Sequence, residues 1–165
     1  MSKRVGIECQ DFEAIRTNGN FYIDKTRFIR EWWDQGDSVT LITRPRRFGK
    51  TLNMSMLECF FSNNYADRGD LFEGLSIWKE AEYRKLQGKY PVLFLSFADI
   101  KSGNWEDAVE RIKKNIADVY ALNHFLLKEE VLTDVEKEQF LSVKPNMKNV
   151  VAETAIREFP LSSEY

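Results

Sequence analysis

A chain of 165 residues with 43% apolar and 30% charged side chains is long enough for one domain with a sizeable core, which excludes a disordered composition. A net charge of -2 and a pI near 5.6 exclude a general nucleic-acid coat, so any nucleic-acid contact would have to be local. Cys9, Cys59 and the single His124 give neither a disulfide framework nor a metal-ligand spacing, and there is no apolar signal region or membrane-length run. A cytoplasmic protein with reduced thiols and no membrane contact is therefore expected, with Cys59 in a core and His124 at a surface or helix end.

The first predicted element is a short helix over Asp11-Phe12-Glu13-Ala14-Ile15-Arg16, capped near Gln10 or Asp11 and ended by the Asn18-Gly19-Asn20 turn. Phe21-Tyr22-Ile23-Asp24-Lys25-Thr26 is a brief extended piece that stops at an N-cap, Asp24 or Thr26. Two readings of this piece stay open: a plain helix cap, or a segment near the base or ribose of a bound nucleotide. Phe28, Ile29, Trp32 and Trp33 then mark a helix closed by Gly36-Asp37, with the tryptophans read as packing residues.

Val39-Thr40-Leu41-Ile42-Thr43 is an apolar, β-branched run that predicts a strand. It leads into a basic loop, Arg44-Pro45-Arg46-Arg47-Phe48-Gly49-Lys50-Thr51, and then into a helix whose Leu52, Met56, Leu57, Phe60 and Phe61 share one face. Strand, loop and helix with Gly-Lys-Thr at the junction is the order of a phosphate-binding loop. The turn points backbone N–H groups inward, and the helix adds its unpaired N-terminal N–H groups and the positive end of its dipole. Pro45 has no N–H, so the donors begin at Arg46.

The candidate nucleotide-binding residues are Arg46, Arg47, Phe48, Gly49, Lys50, Thr51 and Leu52. Gly49 lets the backbone approach phosphate, Lys50 reaches the β- and γ-phosphates, and the Thr51 hydroxyl takes a Mg²⁺ position. Arg44 stands where the general motif has its first glycine. The bland alternative is a solvated basic turn between a strand and a helix.

Further on, a helix from about Ser76 to Leu86 carries Ile77, Trp78 and Ala81 inward, and Gly88 closes it. Pro91-Val92-Leu93-Phe94-Leu95-Ser96-Phe97 is a second predicted strand, suited to a sheet covered on both faces. After Ser102-Gly103-Asn104 comes a long helix with Trp105, Ala108, Val109, Ile112, Ile116, Val119 and Tyr120 on one face. Thr133-Asp134-Val135-Glu136 reads as a capping box, and Asn146 as the cap of a last helix through Val150, Val151, Ala155 and Phe159, stopped by Pro160. The fold expected is α/β, a P-loop NTPase-like parallel sheet flanked by helices.

Gly6-Ile7, Asp11-Phe12-Glu13, Ile15-Arg16, Tyr22-Ile23-Asp24-Lys25-Thr26, the stretch Leu41 to Leu52 and Phe60-Phe61 together resemble the bacterial AAA-ATPase-like family. In that family arginine also occupies the Arg44 position. The resemblance implies a P-loop ATPase core, Mg-ATP as ligand and, in longer relatives, a downstream restriction-endonuclease-like nuclease domain as partner. It also implies an aspartate-glutamate pair after the next strand, the first acid orienting Mg²⁺ and the second activating water. That pair is not found: Asp99 follows the second apolar run without a neighbouring glutamate, and Glu153 follows a segment that reads as helix.

The chain is accordingly expected to be the N-terminal part, 1–165, of such an ATPase domain, lacking the acid-bearing strand, so that the fold is incomplete. It would bind Mg-ATP through the RPRRFGKT loop, with hydrolysis in doubt and no catalytic residue assigned. The alternative from another class is a non-enzymatic module whose Arg44, Arg46, Arg47 and Lys50 clamp nucleic-acid phosphates or serve a protein interaction.

Overall fold

The computed structural model describes residues 9–43, 45, 48–98, 100, 103–128, 132–157 and 159. The chain divides into two units, Met1–Val92 and Leu93–Tyr165.

In the first unit, α1 (Phe12–Thr17), α2 (Arg27–Gln35), α3 (Lys50–Phe61) and the one-turn α4 (Ala81–Arg84) are joined through short 3-10 turns at Asn63–Tyr65, Gly69–Phe72 and Ile77–Lys79. Local chemistry sets the starts and stops. Asp11 caps α1 by accepting the Ala14 N–H at 3.3 Å, and the Phe12 N–H, which has no helical acceptor, donates to Ser55 Oγ of α3 at 3.0 Å. Helix α2 closes at Gly36, as its sequence predicts.

The core of this unit draws on every helix. Phe12, Ile29, Met56, Cys59, Phe60, Leu71, Phe72 and Ile77 are each 1% exposed or less. Phe12 stacks on Phe72 with ring centres 5.1 Å apart, and Phe60 meets Phe72 edge-on at 5.0 Å. Trp33 stacks on Phe61 at 5.5 Å, so the α2 tryptophans do pack rather than form a platform. Arg16 ties α1 to the chain after α3 by donating to the Leu71 and Glu73 carbonyls at 2.6 and 2.7 Å. Burial, with help from the Glu58 charge, pushes the Cys59 thiol up to about 12, so it stays protonated as a core residue.

The end of α3 is hooked by a distant segment. The Gly88 and Tyr90 N–H groups donate to the Phe60 and Phe61 carbonyls at 2.8 and 2.9 Å, and Asn63 N–H donates to the Tyr90 carbonyl at 2.8 Å. The first two bonds satisfy carbonyls that the last turn of a helix leaves open.

The expected α/β architecture is overturned. Among the described residues there is no strand and no sheet, and the fold is helical. The only strand-like pairing there is one parallel bridge, between Ser62 and Tyr90. Residues 39–43 and 91–97 have no regular structure, and Val39 and Leu41 are 84% and 82% exposed, where a covered strand would be buried. A β-branched apolar run expresses a preference for a pleated, half-buried surface, and it becomes a strand only when a neighbour completes the ladder. Neither run has such a neighbour among the described residues.

The helix expected from Ser76 to Leu86 is also corrected. Glu80 is extended, at φ -97° and ψ 104°, and separates the 3-10 turn from α4. The register resets there, so Ala81 is exposed and Tyr83 is buried instead, its hydroxyl donating to Asp34 at 2.8 Å.

The second unit contains α5 (Trp105–Leu122), a 3-10 turn (His124–Leu127), α6 (Asp134–Ser142) and α7 (Asn149–Ala155). Asn104 caps α5 by accepting the Asp107 N–H at 2.7 Å, and the capping box of Thr133 and Glu136 opens α6 as expected. Tyr120 lies between Phe140 and Phe159, with ring centres at 4.7 and 4.8 Å, and its hydroxyl donates to the Ala155 carbonyl at 2.6 Å. His124 is exposed just past α5. Three expectations fail here. Trp105 is 73% exposed, because the first turn of α5 precedes the residues that face its core. Lys148, not Asn146, occupies the N-cap position of α7, and Phe159 is buried beyond the helix end.

Candidate functional site

The turn that starts α3 forms as the Gly-Lys-Thr order predicts. Gly49 is left-handed, at φ 72° and ψ 26°, and occupies the N-cap position, which makes Lys50 and Thr51 the first helical residues. An L side chain rarely adopts that conformation, and glycine does so without a steric cost. No side-chain cap closes this helix end among the described residues. The Asn53 N–H donates to the Gly49 carbonyl at 2.9 Å, so the first helical turn is complete.

Around this turn Lys50, Thr51 and Leu52 are half-buried, and Phe48 is exposed. Arg44, Arg46, Arg47 and Asp99 lie outside the described residues. The structure therefore brings Gly49, Lys50, Thr51 and Leu52 together on one helix start. It supplies the partial positive charge of a helix N-terminus, a tight left-handed entry, an ammonium group and a hydroxyl.

One further residue stands at this turn without having been assigned from the sequence. Lys25 Nζ lies 3.4 Å from where a Cβ on Gly49 would stand. Asn53 is 6% exposed on the first turns of α3, and its Oδ1 has no hydrogen-bond partner among the described residues. Lys25 had one visible signal, its place in the Tyr22 to Thr26 segment.

The Phe21 to Thr26 segment is held by Asp24. Its Oδ1 accepts from Thr26 N–H at 2.9 Å and Thr26 Oγ1 at 2.7 Å, and its Oδ2 accepts from Ser76 N–H at 2.7 Å and Ser76 Oγ at 2.8 Å. Burial pushes the Asp24 carboxyl up, but these hydrogen bonds outweigh it and hold the group below its ordinary value of 3.8. Thr26 is fully buried at the N-cap position of α2, yet its side chain does not cap that helix. Its hydroxyl instead accepts the Ile77 N–H at 3.2 Å. Thr26 thus holds the expected N-cap position, while its hydroxyl and the Asp24 carboxylate brace this segment to Ser76-Ile77.

No group of three or more His, Cys, Asp or Glu side chains among the described residues could hold a metal, and no helix there is long and apolar enough to cross a membrane. Across known proteins, the family model described as a predicted AAA-ATPase matches residues 4–158. The chain is also 33% identical over 122 residues to an uncharacterized protein of the vnfD 5' region of Azotobacter chroococcum mcd 1. That similarity covers 73% of this chain and 21% of the relative, so the chain corresponds to a small part of that protein's length. No solved structure matches the chain. A family match over residues 4–158 takes in the Gly49 turn, α3 and the Asp24 brace alike, and the chain belongs to the predicted AAA-ATPase family.

Proposed function

We propose that this chain binds ATP with Mg²⁺, the phosphates resting on the N-terminal turn of α3. The observation that carries the reading is the left-handed Gly49 leading into a 12-residue helix with no side-chain cap among the described residues. An anion is the natural occupant of such a helix start, and Gly-Lys-Thr supplies the residue types suited to a nucleotide phosphate. Family membership points the same way, since the family is one of predicted ATPases.

In this reading Lys50 neutralises the β- and γ-phosphates, and the N–H groups of Gly49, Lys50, Thr51 and Leu52 cradle their oxygens. Arg46, Arg47 and Phe48 belong to the same proposed binding stretch, with Arg46 or Arg47 assisting at the phosphates. Mg²⁺ would take the Thr51 hydroxyl and complete its shell from phosphate oxygens and water, as this ion commonly does without an all-protein cage. The metal would supply charge neutralisation of the phosphates. The reading is confined to binding, because hydrolysis also needs a group that positions water beside the γ-phosphate.

Calorimetric titration of Mg-ATP into the wild type and Lys50→Ala tests it. Binding in the wild type and at least a hundredfold loss in the variant are expected, since a charge-assisted contact to phosphate of about 3 kcal/mol disappears. Equal affinity in both proteins overturns the reading. Steeply salt-dependent DNA binding that ATP does not affect would assign the basic loop to nucleic acid instead.

A further inference from the structure

Lys25 places an ammonium beside the Gly49 turn. Its backbone is fixed on both sides: the N–H donates to Tyr22 Oη at 3.4 Å, and the carbonyl accepts the Phe28 N–H at 2.9 Å. Tyr22 Oη in turn donates to Met56 Sδ of α3 at 3.2 Å, which ties this segment to the helix that carries the site. On one side Asp24 is clamped to Ser76, and on the other Thr26 is buried. The flexible stem of Lys25 therefore starts from a braced backbone and ends with its ammonium beside Gly49.

That position is electrostatically costly by itself. The ammonium stands beside Gly49, at the positive end of the α3 dipole, which disfavours a cation. Lys25 makes no ion pair among the described residues. An anion at the Gly49 turn would turn this repulsion into attraction.

We infer that Lys25 is a second phosphate-binding residue, acting with Lys50 on the triphosphate of the bound nucleotide. The inference rests on the nucleotide-binding reading and goes beyond it by giving the Tyr22 to Thr26 segment a phosphate role instead of a base or ribose role. The segment then serves as an arm, braced by Asp24, that delivers a charge from outside the loop.

The test is Mg-ATP titration of the full chain at low and high salt, for wild type, Lys25→Gln, Lys25→Arg and Lys50→Ala, with thermal melting to confirm that each variant folds. Lys25→Gln is expected to weaken binding about tenfold at low salt, with a smaller deficit at high salt, because a partly exposed charge is screened. Lys25→Arg should recover most of the affinity. Wild-type affinity in Lys25→Gln, with binding lost in Lys50→Ala, overturns this inference and leaves the nucleotide reading standing. Equal weakening in Lys25→Gln and Lys25→Arg also overturns it, by assigning Lys25 to loop packing. No ATP binding by the wild type overturns both.

Discussion

Glu58 and Asp24 show how environment sets the behaviour of a carboxyl group in this chain. Glu58 is half-buried on α3; burial first, and then the charges of Asp11 and Glu13, push it up to about 7 from an ordinary 4.5. Between those two values the folded protein holds a proton that the unfolded chain has released. The stabilising contribution is therefore complete below 4.5 and is lost as pH rises through about 7. Asp24 has the opposite sign: its lowered value contributes stability above 3.8 that is lost as pH falls. Glu58→Gln should therefore raise stability at pH 8 by about 1 kcal/mol, a figure reduced because water screens a half-exposed group. At pH 4 the variant and wild type should agree within about 0.5 kcal/mol. Urea unfolding across this pH range reads the difference, and a destabilised variant at pH 8 would refute the argument.

The elements that the sequence makes legible are those whose causes lie within one helical turn. Asp11, Asn104 and the Thr133-Glu136 box each bond to a backbone group three residues away or less, so a reading of neighbours was enough to find the starts of α1, α5 and α6. Glu80 was missed because nothing in its neighbours announces an extended residue between two helical turns. The Gly88 hook was missed as an element because its partners, Phe60 and Ala66, lie more than a turn away in sequence. Gly88 is left-handed at φ 69°, and a Cβ there would stand 2.3 Å from Ala66 Cα. Gly88→Ala should thus cost about 3 kcal/mol, from backbone strain plus a collision with main chain that cannot move cheaply. Gly49→Ala should cost only about 1 kcal/mol, because its Cβ would make an ordinary contact at 3.4 Å and only the strain remains. Thermal melting of the two variants compares them; equal losses would remove the Ala66 contact as the cause.

At the scale of the whole chain, composition correctly indicated a core-forming protein, while the layer architecture was misread. Sheet formation is a property of pairs of segments, and single runs such as 39–43 and 91–97 carry no information about whether a neighbour exists. The helix start at Gly49 and Lys50 was more legible than the sheet because it is a local feature that forms without a ladder. Lys25 escaped for the reason the sheet misled, since its contact with Gly49 is set by tertiary structure. All described residues of the proposed site belong to the unit Met1–Val92, whose core cluster is distinct from the cluster around Tyr120 and Phe140. Ligand binding should then reshape stability unevenly along the chain. Mg-ATP at about a hundred times its Kd stabilises a binding-competent unit by about 2.7 kcal/mol, so amides of that unit that exchange only when the site opens should slow about a hundredfold. In hydrogen exchange with Mg-ATP, protection is expected to rise over Tyr22–Ile29 and α3 in the wild type and to stay unchanged in Lys50→Ala. Amides of α5 and α6 should exchange at their ligand-free rates. Protection that rises only over α5 and α6 would place the nucleotide in the second unit and remove the Gly49 turn as its site.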